Sequence, residues 1–175
     1  QTINTWFGSG YMSPSGGFIL NNEMDDFSAK AFTPNRYGLV HGEANSILPK
    51  KRMLSSMTPS FIESDRGIAI LGTPGGSKII TMVLLSILNW MNGGTADDMT
   101  SVKRFHHQYL PDVIQHEKDA FSSSNIDKLR SIGHTLKEVS SYGNMQVITI
   151  DKDSGKVETS SDPRALIEDS GIDYY

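Results

Sequence analysis

Cysteine is absent from this chain of 175 residues. Its absence excludes disulfides, thiolate metal sites and a cysteine nucleophile, but leaves the compartment open. Long basic runs are absent too. With 16 Lys and Arg against 20 Asp and Glu, the net charge is -4, which argues against nucleic-acid binding as the main task. The most apolar stretch, Ile79 to Leu88, is interrupted by Thr81 and Ser86 and is too short and too polar to span a bilayer. No signal peptide is visible. Gln1 is an unusual first residue, so any targeting segment is expected to have been removed or to lie on another chain. Repeats and low-complexity tracts are also missing. What remains is a mildly acidic chain, long enough for one domain with a real core, expected to span residues 1–175.

The stretch Leu71 to Gly94 organises the rest. Gly72, Pro74, Gly75 and Gly76 make a turn, and Ile79 to Leu88 then predicts a buried core helix. Ser77 is placed to cap its start, and Gly93 suits the left-handed position past its end. Glycines just ahead of a helix leave backbone N–H groups bare at the positive end of the dipole. Such a turn can hold a phosphate, a carboxylate or the oxyanion of an acyl-transfer intermediate. It can equally be a tight turn that feeds a core helix. A P-loop is excluded, because that motif needs a Gly before its Lys and Lys78 follows Ser77.

From the start of the chain, Thr2 to Phe7 and Phe18 to Leu20 are rich in strand formers. Glu23, Asp25 and Asp26 then gather three carboxylates within four residues. This cluster is either a solvated turn or a site for a cation or ammonium, and a calcium-loop spacing is missing. Strand alternation would point Asp25 away from Asp26. Ser28 to Pro49 is long and irregular, the character of a lid or binding loop, with Tyr37 near its middle. Lys50, Lys51 and Arg52 read as a solvated face. Ser55 and Ser56 either satisfy nearby backbone or donate to a bound carboxylate.

Phe61–Ile62 and Ile68–Leu71 predict a hairpin across Ser64 to Gly67. Thr95 caps a second helix with Asp97 and Asp98 in its first turn. Adjacent His106 and His107 point in different directions, so neither a metal nor another cofactor is expected. Ser124 to Ile132 predicts a third helix ended by Gly133, and Met145–Ile150 and Val157–Ser160 two more strands. The last ten residues are acidic and expected to be peripheral. Strands, then helices, then strands suggest a layered α/β domain.

Five motifs stand in the order and spacing of one family: N-x-x-M-D-D-F at Asn21–Phe27, R-x-L-S-S-M-x-P at Arg52–Pro59, G-x-P-G-G-S at Gly72–Ser77, R-F-H-H-Q at Arg104–Gln108 and D-P-R at Asp162–Arg164. On these the chain resembles the small subunit of gamma-glutamyltranspeptidase. The resemblance implies an α+β, four-layer α-β-β-α sandwich of the N-terminal-nucleophile hydrolases, of which this is the small-subunit part. It also implies a large-subunit partner cut from the same precursor. The family's nucleophile is the new N-terminal Thr of the small subunit, one to two strands upstream of Thr2. Here Gln1 comes first, so that Thr is expected to be clipped or supplied by a separate piece.

Residue by residue, Thr2 looks like the family's second Thr, whose hydroxyl contacts the nucleophile. Asn4, Glu23 and Asp26 look like the group that holds the substrate's α-ammonium. If that site is empty, repulsion between its carboxylates raises one pKa. Ser55 and Ser56 look like donors to the α-carboxylate. Gly75 and Gly76 look like the oxyanion hole. Ala31 to Gly42, with Tyr37, is similar to the lid over the glutamyl pocket. The implied activity is γ-glutamyl hydrolysis and transfer from glutathione or similar amides to water or an amino acid. Rival expectations are a catalytically inactive fragment that binds glutamyl compounds, and a related cephalosporin or glutaryl acylase. A bacterial periplasmic or secreted location is expected, without nucleic acid and without a membrane span in this chain.

Overall fold

The computed structural model describes residues 2–35 and 37–166. The acidic tail beyond Leu166, expected to be peripheral, lies outside the described residues. The chain divides into two units, Gln1–Met57 and Thr58–Tyr175.

The second unit is layered. Its elements run β1 (Ser60–Ser64), β2 (Gly67–Gly72), α1 (Ile79–Met91), α2 (Ala96–Ser101), β3 (Phe105–His106), β4 (Ile114–His116), α3 (Ser123–Ser131), β5 (Leu136–Glu138), β6 (Gln146–Asp151) and β7 (Val157–Ser161). One antiparallel sheet has the order β1-β2-β6-β7, and a second, smaller sheet has the order β3-β4-β5. The hairpin forms because Asp65 and Arg66 close a tight turn at Gly67, whose φ of 128° a side chain rarely adopts.

Alternation along β2 and β6 gives the larger sheet two faces. Ala69 stands opposite Thr149 and Leu71 opposite Val147. All four are buried, the apolar three in one core with Ile79, Met82, Val83 and Trp90 of α1. The other face carries Ile68 opposite Ile150 and Ile70 opposite Ile148. Phe61 and Val157 extend that face, and they are 74% and 58% exposed.

Polar contacts lock the helices. Ser86 Oγ donates to Met99 O at 2.7 Å, tying α1 to α2. Thr95 and Asp98 form a reciprocal capping box at the start of α2. Arg66 reaches from the hairpin turn to Trp90 O in the last turn of α1 and to Gly94 O just past it. Below these lies a buried ion network. Arg104 binds Asp162 and the Tyr142 carbonyl, and Arg164 binds Asp162 and Glu117. Arg164 also donates to the carbonyls of Thr100, Ser101 and Val102, the orphan acceptors at the end of α2.

The first unit has little regular structure: 3-10 turns at Glu23–Asp26 and Glu43–Asn45, and isolated bridges Met12↔Ile19, Ser28↔Ser46 and Pro34↔Val40. The strands expected at Thr2–Phe7 and Phe18–Leu20 do not form. Asn4 and Phe7 take φ values of 73° and 55°, which break an extended run. Ile19 makes only its single bridge to Met12. No helix among the described residues is long and apolar enough to cross a membrane.

Candidate functional site

In the first unit the acidic cluster is a 3-10 turn, not a strand. With three residues per turn, side chains at i and i+3 eclipse. Glu23 and Asp26 therefore share one side, and Asp25 is left exposed, accepting from Asn22 Nδ2 at 2.8 Å. Asp25 does point away from Asp26, through turn periodicity rather than strand alternation. Asp26 is buried, and its Oδ1 accepts from Asn4 Nδ2 at 3.4 Å. Glu23 Oε2 accepts from Ser56 Oγ at 3.2 Å. The remaining oxygens, Glu23 Oε1 and Asp26 Oδ2, are buried and accept no hydrogen bond among the described residues. Burial first, and then the neighbouring Asp26, push the Glu23 carboxyl above its ordinary range, while the Ser56 hydroxyl pulls the other way. Such a pair of buried carboxylate oxygens can hold a cation with several N–H donors.

Asn45 holds this turn in place. Its side chain donates to Asp26 O at 2.6 Å and accepts from Leu54 N at 3.2 Å, just before the serine pair. Sequence reasoning missed Asn45, because nothing in an irregular loop marks it. Thr2 Oγ1 accepts from Asn4 N at 2.8 Å. Ser55 turns to its own backbone, donating to Met57 O and accepting from Met57 N. Of the serine pair, then, one satisfies nearby backbone and the other meets a carboxylate. Tyr37 lines a cavity of about 520 Å³ together with Asn4, Asp26 and His41.

In the second unit the glycine turn is a 3-10 turn, Gly76–Lys78, that runs directly into α1. Ser77 lies inside this turn and caps nothing; its Oγ accepts and donates no hydrogen bond among the described residues. The expected Ser77 cap is thus corrected, because the helical run starts one residue before it. The first hydrogen bond of the turn runs from Lys78 N to Gly75 O at 3.1 Å. The Gly75 and Gly76 amides precede that bond, so the helix takes neither. Both residues have positive φ, 144° and 56°, and a Cβ on Gly75 would come 2.4 Å from Met82 Cε. Lys78 is buried, with its Nζ 4.3 Å from the centre of the Tyr142 ring. Among the described residues no group of three or more His, Asp or Glu is arranged to hold a metal.

The structure thus brings together Asn4, Glu23, Asp26 and Ser56, with Thr2 beside Asn4, in one unit, and it presents Gly75 and Gly76 in the other. The sequence model of the gamma-glutamyltranspeptidase family matches residues 1–171. The chain belongs to the gamma-glutamyltranspeptidase family. It is 42% identical over 167 residues to the glutathione hydrolase proenzyme of Escherichia coli K12, covering 94% of this chain and 28% of that protein. A variant of Helicobacter pylori gamma-glutamyltranspeptidase is similar in structure, with a TM-score of 0.86, 40% identity, and coverage of 94% of this chain and 90% of that one. A variant of Pseudomonas nitroreducens gamma-glutamyltranspeptidase gives a TM-score of 0.79 at 40% identity, covering 94% and 86%. The mixed α/β fold is therefore that of the small-subunit part of the N-terminal-nucleophile sandwich. The chain spans between about a quarter and a third of the length of the first curated gamma-glutamyltranspeptidase relatives.

Proposed function

We propose that residues 1–175 form the small-subunit portion of a γ-glutamyl hydrolase and transferase acting on glutathione and other γ-glutamyl amides. The observation that carries this reading is the carboxylate pair of Glu23 and Asp26, each with a buried oxygen that no donor meets. An α-ammonium supplies three donors and a positive charge, which satisfies both oxygens and reverses the rise in the Glu23 pKa. Asn4 orients Asp26, and Ser56 holds Glu23 until substrate arrives. Ser55 and Ser56 donate to the α-carboxylate once substrate replaces their present partners, and Tyr37 belongs to the lid.

The nucleophile is a Thr upstream of Thr2 that becomes the N-terminus of the small subunit when the precursor is cut, with its own α-amine as base. It attacks the γ-carbonyl, and Thr2 steadies its hydroxyl. The oxyanion rests on the Gly75 and Gly76 amides, which need no reorganisation to receive it. The amine leaves, and water or an amino acid resolves the acyl-enzyme.

The partner is the large subunit of the same precursor. The support lies in the outer face of the larger sheet. A solvated antiparallel face is ordinarily polar, yet Ile68, Ile70, Ile148, Ile150, Phe61 and Val157 make this one apolar. A second sheet packed over it would complete the sandwich. With the family resemblance and the lack of cysteine, we assign the enzyme to the bacterial periplasm or to secretion.

The test is expression of the complete precursor and assay with γ-glutamyl and glutaryl anilides, with and without glycylglycine. Turnover of the glutamyl anilide, faster with the acceptor, is expected. A preference for the glutaryl anilide would favour an acylase, and binding without turnover would favour an inactive glutamyl-binding protein.

A further inference from the structure

Thr81 Oγ1 lies 2.9 Å from His106 Nδ1 and 3.0 Å from the carbonyl oxygen of Lys78. The hydroxyl has one hydrogen and two atoms that could take it. The far side of the imidazole decides between them. His106 Nε2 is 2.8 Å from Gln108 Oε1, while Gln108 Nε2 donates to Leu110 O at 2.5 Å. The Gln108 side chain therefore turns its acceptor oxygen to the ring, and Nε2 carries a hydrogen. In the neutral ring Nδ1 is then the acceptor and takes the Thr81 hydrogen. In the charged ring Nδ1–H donates to Thr81 instead, and the hydroxyl hydrogen turns to the Lys78 carbonyl.

Lys78 closes the 3-10 turn that presents Gly75 and Gly76, and its own N–H bonds to Gly75 O. Its carbonyl belongs to the next peptide, Lys78–Ile79, which joins the turn to α1. We propose that His106 is a positioning residue which, through Thr81, sets the hydrogen bonding of the Lys78 carbonyl and with it the geometry of the glycine turn. This rests on the reading of Gly75 and Gly76 as oxyanion donors. His106 is buried on β3, where Gln115 of β4 stands opposite it. The charged or titratable groups around it are Lys78, at the start of α1, and His107, its neighbour on the strand. Burial foremost, then Lys78 and His107, hold its pKa below the usual range against the pull of Gln108. The neutral ring is thus the working form at neutral pH, and acid switches the relay.

Two measurements on the complete precursor test this. In the first, Thr81→Val removes the shared hydroxyl at nearly constant shape. It should lower kcat for γ-glutamyl anilide hydrolysis about tenfold, the loss of one ordinary hydrogen bond, with KM changed little. The part of the acid limb of the kcat profile set by His106 should disappear with it, leaving the limb of the α-amine base, and Thr81→Ser should restore both. Wild-type kcat and an unchanged acid limb in Thr81→Val would overturn the relay. In the second, nitrogen NMR of wild-type protein with labelled histidine reads the tautomer without any turnover. The Nε2–H form is expected near neutral pH, and the Nδ1–H form would overturn the proposal. If no γ-glutamyl amide is cleaved at all, the functional reading fails while the tautomer still judges the relay.

Discussion

Two 3-10 turns carry the chemistry assigned to this chain, and they are built in opposite ways. Gly76–Lys78 offers backbone. Its amides are available because glycine tolerates positive φ, and because a helix of thirteen residues, α1, follows and fixes the direction of the peptides. Glu23–Asp26 offers side chains. Its carboxylates are useful only because Asn4, Asn45 and Ser56, distant in sequence, arrive to orient them. The first turn depends on local rules and a layered scaffold. The second depends on a loop-built unit held by individual hydrogen bonds.

The largest effect expected from breaking this contrast is at the backbone turn. Gly76→Val places a β-branched residue at a φ of 56° and displaces an amide. Losing one oxyanion donor costs roughly 3–4 kcal/mol, or about 10²–10³ in kcat. Steady-state kinetics of the complete enzyme checks this, and a near-normal rate would reduce the turn to a connection.

The next is in the scaffold. Arg104→Leu takes from buried Asp162 one of its two guanidinium partners and leaves it Arg164 alone, and breaking a buried pair costs up to about 3–5 kcal/mol. Calorimetry should show a Tm lower by up to roughly 10 °C. The same network predicts loss of stability in acid. Burial pushes the Asp162 carboxyl up, but the Met145 amide and Arg104 outweigh it and hold the pKa below 3.8. Its contribution is therefore full above the unfolded pKa and is lost as pH falls through the folded one.

A smaller effect separates the two carboxylates. Because burial and the neighbouring Asp26 raise the Glu23 pKa, ammonium binding should weaken as pH falls through that value. Glu23→Gln should remove this acid limb from kcat/KM and lower it about tenfold at neutral pH, the loss of one charge-assisted hydrogen bond. A pH–rate profile of the variant decides it. The smallest effect belongs to Asp25→Ala, which removes an exposed contact to Asn22 and should change kcat/KM by less than about twofold. A large loss there would mean that the eclipsed i, i+3 side of the turn is not the working side.

Much of the second unit was legible in the sequence, because its rules are local. The hairpin, α1, the Thr95 cap, α3 and the last two strands all follow periodicity and punctuation. Ser77 misled because a cap residue and the interior of a 3-10 turn look alike in one dimension. In the first unit the strand formers from Thr2 to Phe7 misled because left-handed Asn4 and Phe7 are set by contacts and not by propensity. The acidic cluster was visible, yet its pairing was not. Alternation and turn periodicity both send Asp25 away, but only the turn brings Glu23 to Asp26. Arg104, Asp162 and Arg164 were seen only as parts of motifs, since a buried ion network joins residues that no spacing rule connects.

The central claim, that the acidic turn holds an α-ammonium, is tested most directly at Asp26. In the complete two-subunit enzyme, kcat/KM of wild type and Asp26→Ala is measured on γ-glutamyl anilide and on glutaryl anilide, which lacks the ammonium. A charge-assisted hydrogen bond of about 1.5–3 kcal/mol, with a buried charge left unpaired, predicts a loss of roughly 10²-fold or more on the glutamyl substrate. The loss on the glutaryl substrate should be far smaller. Equal losses on both would contradict the account and make Asp26 a structural residue.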